Sequence, residues 1–288
     1  MTTPKLSRIR LPLSPKPTLT NSTIRSPTVR HHTTSTINTS EINHFNALAS
    51  SWWDPHGPSR LLHLMNPPRH TFLRSCLASH PTQPSKNLHL LDVGCGGGIF
   101  AESAARLPHF SSITAIDPSP SVLTVAQAHL ALDPPLHATN KLTYLQSSIE
   151  DLPRTKQYDV VSMFEVLEHV SNPSNFLREA TQRVKPGGWI VGSTIARTWT
   201  SWVVTNVIAE EVLGVVPRGT HDWRKYVNEY ELRAWFVKLT AGTDVGGMDG
   251  GRWDFRSQGV VYVPGFGWRV VEGGEKFGNY FFAARRME

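Results

Sequence analysis

The stretch Leu90-Leu91-Asp92-Val93-Gly94-Cys95-Gly96-Gly97-Gly98 decides the fold. An apolar run from Leu88 ends in a string of glycines, and Ile99 then opens a segment of helical periodicity to Arg106. Strand, tight turn and helix in that order make the first βα unit of a parallel sheet. Its turn lies where such sheets bind ligands, outside the carboxyl ends of the strands. Gly94 and Gly96 let the backbone approach a ligand that a Cβ would hold off. Outward from this unit, strands are expected at 112–116, 142–146, 158–163, 188–193, 259–263 and 280–284, and helices at 121–132 and 175–184. With the first strand this gives a seven-stranded Rossmann-like α/β sheet ending in a hairpin-like pair. No run of 18 apolar residues, the length a membrane span needs, occurs in the chain.

Dinucleotide enzymes carry G-x-G-x-x-G at this turn, so that a pyrophosphate meets the helix N-terminus. Here the glycines alternate as Gly94, Gly96 and Gly98, and Ile99 stands where the third glycine of that pattern belongs. Asp92, two residues before the first glycine, suits a cationic ammonium instead of a pyrophosphate. That combination is the signature of S-adenosylmethionine enzymes, and with seven strands it predicts a class I S-adenosylmethionine-dependent methyltransferase. Asp117 ends the second strand 19 residues after Gly98, where a carboxylate accepts hydrogen bonds from both ribose hydroxyls. Ser148-Ile149-Glu150 follows the third strand and borders the expected adenine position, and Phe164, past the fourth, is placed to pack on the base.

Charge excludes another class. The net charge of +6 suggests nucleic acid, but residues 1–40 hold six basic residues and no acidic one, leaving 23 basic against 23 acidic residues in the remainder. A near-neutral body has no phosphate-binding face, so no nucleic-acid partner is expected. The 1–40 segment, rich in Ser, Thr and Pro, cannot bury a core and has no secretory apolar stretch. It matches a disordered organelle transit peptide, the alternative being a plain disordered tail. Residues 41–288 are then the methyltransferase domain, with an N-terminal helical extension and an inserted segment around 197–225. Cys76 and Cys95 form no CxxC pair, and Cys95 reads as a small filler in the loop. Ahead of the sheet, Thr39 or Ser40 can cap a helix carrying Ile42, Phe45, Leu48 and Ala49, and Pro67-Pro68 is placed to begin a second.

Further motifs carry a family likeness. Phe45-Asn46-Ala47-Leu48-Ala49, Trp52-Trp53-Asp54-Pro55, Leu62-His63 and Asn66-Pro67-Pro68-Arg69 precede the glycine loop. Glu165-Val166-Leu167-Glu168-His169-Val170, Lys185-Pro186-Gly187-Gly188, Gly219-Thr220-His221-Asp222-Trp223 and Asn279-Tyr280-Phe281 follow it. In this order they resemble the ubiquinone-biosynthesis O-methyltransferases that act on polyprenylated catechols, from about residue 40 to 236 and again near the C-terminus. The resemblance implies cofactor contacts from Arg69, Gly94, Asp117 and Phe164, and Mg²⁺ held by Glu165, Glu168 and His169. It also implies polyprenylated dihydroxybenzoate and demethylubiquinol-type substrates, partner proteins of the same pathway, and a peripheral place on the matrix side of the mitochondrial inner membrane. Two departures stand out. A glycine-rich stretch over 243–257 looks inserted, and Val263 stands before Pro264 where the family has Asn.

The residues themselves account for much of this. Arg69 suits the methionine carboxylate, which a guanidinium grips bidentately. A phenol with a pKa of about 10 is protonated at neutral pH, so the site needs a base or a metal that stabilises the phenolate. Glu165, Glu168 and His169 stand at i, i+3 and i+4, and a helical turn would bring all three to one face. Oxygen-rich donors favour Mg²⁺ or Mn²⁺. Without metal, His169 would serve as base or packing residue. His221, with Asp222, is the other acid-base candidate, or else a helix cap. Residues 202–216 are too short and too charged to span a membrane but could lie on its surface. Two further readings stay open: a methyltransferase for a soluble phenol, and a non-catalytic scaffold in a biosynthetic assembly.

Overall fold

The computed structural model describes residues 35–80, 86–197, 226–242 and 251–288. Strands β1 (Leu88–Val93), β2 (Phe110–Asp117), β3 (Leu142–Gln146), β4 (Tyr158–Phe164) and β5 (Val184–Ile195) pair in parallel. Three more, β6 (Trp253–Val263), β7 (Gly267–Val270) and β8 (Asn279–Arg286), join antiparallel. The order across the sheet is β3-β2-β1-β4-β5-β8-β6-β7. Chain direction along the sheet reverses between β1 and β4, and the glycine loop leaves β1 at that switch point.

Alternation along the strands explains the layering. Leu90, Ile113, Val160, Val191 and Phe281 face one side, where helices α2 (Arg60–Ala78), α3 (Ile99–Ala105) and α4 (Pro120–Ala131) pack. Leu91, Val161, Ile190, Tyr280 and Phe282 face the other, against α6 (Pro173–Gln182) and α7 (Glu229–Thr240). Strands buried on both faces read as continuous apolar runs, and Tyr280–Ala284 is fully buried throughout. A short helix α5 (Pro134–Ala138) follows α4, and α1 (Thr39–Leu48) precedes them all.

The sequence reading needs several corrections. Pro67 and Pro68 lie inside α2, which starts at Arg60. They deprive the carbonyls of His63 and Leu64 of donors, but the helix buries Met65, Arg69, Phe72, Leu73 and Cys76 along one side, and that packing carries it through. The cap of α1 is Asn38, whose side chain accepts from the Ser40 amide. One compact unit runs from Ser35 to Glu288. Thr36 is buried, with its amide and hydroxyl donating to Glu150 and its carbonyl accepting from Ser171. Strand β6 begins at Trp253, inside the stretch read as a glycine-rich insertion, and pairs with β8 along most of its length. Strand β7, opening at Gly267, is an eighth strand that the sequence reading did not include. The 198–225 segment, with His221, Asp222 and the 202–216 stretch, lies outside the described residues, as do residues 1–34.

Candidate functional site

A cavity of about 720 Å³ opens over the carboxyl edge of β1, β2 and β4. The glycine loop is its floor. Gly96 has φ +53° and Gly98 φ +87°, a region that suits residues without a Cβ. A Cβ on Gly96 would also collide with the Trp52 indole, and one on Gly98 with the Tyr144 hydroxyl. Two bonds fix the loop from outside. The Cys95 amide donates to Ile116 O at 3.0 Å, and the Trp53 indole N–H to Gly97 O at 2.8 Å. Trp53 is itself stacked on the His129 ring at 3.4 Å, and His129 pairs with the fully buried Glu102 at 2.7 Å. The Cys95 thiol is buried and pushed well up in pKa, so it is a filler and no nucleophile.

Three expected cofactor residues meet in this cavity, two of them with a polar atom to spare. Asp92, 3% exposed, accepts from the Ser162 hydroxyl at Oδ1 (2.6 Å), while Oδ2 has no partner. Burial pushes its carboxyl up to about 7, against the Ser162 bond and the Arg69 charge. Arg69, 4% exposed, comes from α2 with its Nε unpartnered. Burial lowers its pKa, and the charges of Glu165, Asp92 and Glu168 oppose that. Asp117 accepts from the amides of Gly96 and Ser119, both at 2.9 Å, so it also organises the loop. Phe164 lines the same cavity. Its ring packs on Phe100 (4.5 Å between centroids) and lies under the Arg69 guanidinium at 5.0 Å, so it supports that guanidinium. Ser148, Ile149 and Glu150 line the cavity, but the Glu150 carboxylate is engaged by Thr36.

Glu165, Glu168 and His169 border the same cavity. They do not share the face of a helical turn, which corrects the sequence expectation. Glu165 takes a left-handed conformation (φ +57°), and residues 165–170 form a turn instead. Glu165 accepts from Ser193 at 2.6 Å and Glu168 from Thr194 at 2.8 Å. Among the described residues no three His, Cys, Asp or Glu side chains are grouped so as to hold a metal ion. The carboxylates still feel each other, since burial and the charge of Glu165 push Glu168 up to about 8.

His169 has an orienting partner that the sequence did not disclose. Its Nδ1 lies 2.9 Å from Glu41 on α1, and Phe45 of the same helix meets its ring edge-on at 4.9 Å. Burial lowers the imidazole pKa, but the bond to Glu41 and the charges of Glu168, Glu41 and Glu165 outweigh it, and the net shift is upward. Asn46, one residue on, accepts from Ser119 beside Asp117 at 2.6 Å. Helix α1 thus reaches both ends of the site. The only sequence signal was the cap-and-acid start of a helix at Asn38 and Glu41.

This architecture has relatives. Residues 39–240 match the family model described as a methyltransferase domain. Among solved structures, the magnesium protoporphyrin IX methyltransferase of Synechocystis PCC 6803 superposes with a TM-score of 0.59 at 16% identity, covering 86% of this chain and 99% of that one. The N-methyltransferase NodS of Bradyrhizobium japonicum gives 0.53 at 14%, covering 86% and 98%. At such identities the likeness is one of fold. Sequence relatives go further. The mitochondrial ubiquinone biosynthesis O-methyltransferase of Candida albicans is 39% identical, covering 86% of this chain and 85% of its own length. The ubiquinone biosynthesis O-methyltransferase of Methylobacterium nodulans is 38% identical over 87% and 96%. With the glycine loop, the switch-point cavity and this extent of identity together, the chain belongs to the ubiquinone biosynthesis O-methyltransferases, S-adenosylmethionine-dependent enzymes of class I fold.

Proposed function

We propose that the chain methylates a phenolic oxygen of polyprenylated catechols of the dihydroxybenzoate and demethylubiquinol type. One observation carries the assignment of the cofactor's amino-acid end: two oppositely charged buried side chains, Arg69 and Asp92, each with an unpartnered polar atom, on one cavity. S-adenosylmethionine has a carboxylate for the first and an ammonium for the second, and the Synechocystis neighbour was crystallised with the demethylated product SAH. Asp117 would hold the ribose with the lone pairs that Gly96 and Ser119 leave over. In the transfer, the phenolic oxygen attacks the sulfonium methyl carbon, the C–S bond breaks, and its electron pair stays on sulfur. The site's task is to remove the phenolic proton and hold the oxygen in line.

The donor types of Glu165, Glu168 and His169, two carboxylates and an imidazole, suit Mg²⁺, and an ion would have to gather them from where they now stand. Bound there, the ion would lower the phenol pKa. A metal-free reading draws on the Glu41–His169 pair, a base held by a carboxylate as in other acid-base sites. In it, Nε2 of His169 takes the proton. Chelation separates the two. Turnover of a short-chain prenylated dihydroxybenzoate should cease with chelator, return with added Mg²⁺, and leave S-adenosylmethionine affinity within about twofold. Full turnover in chelator-treated protein assigns the proton to His169 and removes the metal.

The place of action is proposed as the mitochondrial matrix face of the inner membrane. The basic, acid-free leader and the mitochondrial fungal relatives support the compartment. Among the described residues, no helix is long and apolar enough to cross a membrane.

A further inference from the structure

The end of β6, together with the unforeseen β7, builds a wall over the site. Register runs Ile195↔Asn279 between β5 and β8, and Asn279↔Val260 between β8 and β6. Ile195 is the carboxyl end of β5, so β6 continues beyond the edge of the sheet on the side where the site lies. Val261, Tyr262 and Val263 pair only with β7, as Arg269, Trp268 and Gly267. The overhang is pinned to α2 by the Trp268 indole, which donates to Leu61 O at 3.1 Å, and Tyr262 packs edge-on against Trp268 at 5.6 Å.

The side chains of this overhang are apolar where they face the cavity. Val260, Val261, Tyr262, Pro264 and Trp268 line it, and Phe277 closes the row. Val261 (37% exposed) and Phe277 (60%) both line the cavity and reach solvent, so here the cavity opens through an apolar mouth. Nothing in the chemistry of a sulfonium cofactor or a catechol ring calls for such a rim. An isoprenoid chain does, because each methylene taken from water favours binding.

We propose that the β6–β7 overhang is the binding wall for the substrate's isoprenoid tail, which leaves the cavity through the mouth bordered by Val261, Pro264 and Phe277. This rests on the prenylated-catechol reading and adds where the tail runs. It makes the overhang the part of the enzyme that separates prenylated from chain-free catechols, while the ring and the methyl group are handled over β1 and β4.

The test compares kcat/KM for a diprenyl dihydroxybenzoate with that for chain-free dihydroxybenzoate, in the whole protein and in Val261→Lys and Phe277→Asp. Both positions are exposed enough to accept a charge, and an unchanged Kd for S-adenosylmethionine reports that each variant is folded. Leu132→Lys, 78% exposed on the far end of α4, is the control. The preference for the prenylated substrate should fall by about tenfold or more in both variants and stay in the control. A preference retained in both folded variants overturns the proposal. If those variants instead lose co-sedimentation with phospholipid vesicles while keeping the preference, the mouth is a membrane contact and the tail wall is likewise overturned. A wild-type ratio near one would overturn the prenylated-substrate reading itself, which the variants alone could not do.

Discussion

Asp92 shows how much one buried side chain can carry. Its Oδ1 is held by Ser162 and its Oδ2 is unpartnered, so the fold presents an acceptor without supplying the donor. Its carboxyl is pushed up to about 7 by burial, so it exchanges a proton near neutral pH. An ammonium beside Oδ2 favours the ionised form and lowers that pKa. Binding S-adenosylmethionine near neutral pH should therefore release protons at this residue. Calorimetry in buffers of different ionisation enthalpy reads the release directly, and Asp92→Asn should abolish it. Proton uptake, or the same release from the variant, would contradict the ammonium assignment. Residues of this kind were legible in the sequence because their constraint is local: glycines at a turn, an acid two positions before, an acid at the next strand end. Glu41 and Thr36 were not, since their partners lie 128 and 114 residues away and no spacing rule connects them.

Elements were read well where one pattern governed them and poorly where tertiary packing overrode it. The buried strands β1, β4 and β5 announce themselves as apolar runs, whereas Pro67-Pro68 looked like a helix start and sits inside α2. The Glu165–His169 spacing suggested a helical turn until the left-handed φ of Glu165 broke it. Helix α1 was expected as an extension, yet Glu41, Phe45 and Asn46 make it a working cover of the site. Deleting residues 1–34 should leave S-adenosylmethionine affinity intact, and deleting 1–48 should weaken it by about tenfold or more, some 1.4 kcal/mol. Equal affinities in the two truncations would show that α1 contributes nothing. On the opposite face, α6 is tied to the segment after β3 by its C-cap Arg183, fully buried, which donates to Glu179 Oε2 at 2.7 Å and to Leu152 O at 2.8 Å. Arg183→Ala leaves Glu179 buried with only Arg154 and should cost about 3–5 kcal/mol in urea unfolding. A loss under about 1 kcal/mol would mean that Arg154 and water replace it.

At the scale of the whole molecule, the sheet order explains why these residues meet. Reversal between β1 and β4 opens the cavity, β2 delivers Asp117 to one side and β4 delivers Glu165 to the other, and α2 brings Arg69 from outside the sheet. Antiparallel β8 buries Phe281 and Phe282 in the middle of the sheet and leaves β6 free to overrun the edge. The parallel half was legible because βα alternation fixes it. Of the antiparallel half, β8 and the end of β6 were legible as a terminal strand pair, while β7 and the start of β6 were not, since glycines there mark turns and strands alike. What the assembly is for can be measured in one assay, with S-adenosylmethionine labelled at its methyl group and a short-chain prenylated dihydroxybenzoate. The label should appear on a phenolic oxygen of the catechol, with S-adenosylhomocysteine formed in equal amount, and Asp92→Asn should lower the yield. A folded protein that binds S-adenosylmethionine yet leaves the catechol unlabelled, with and without Mg²⁺, would contradict the account.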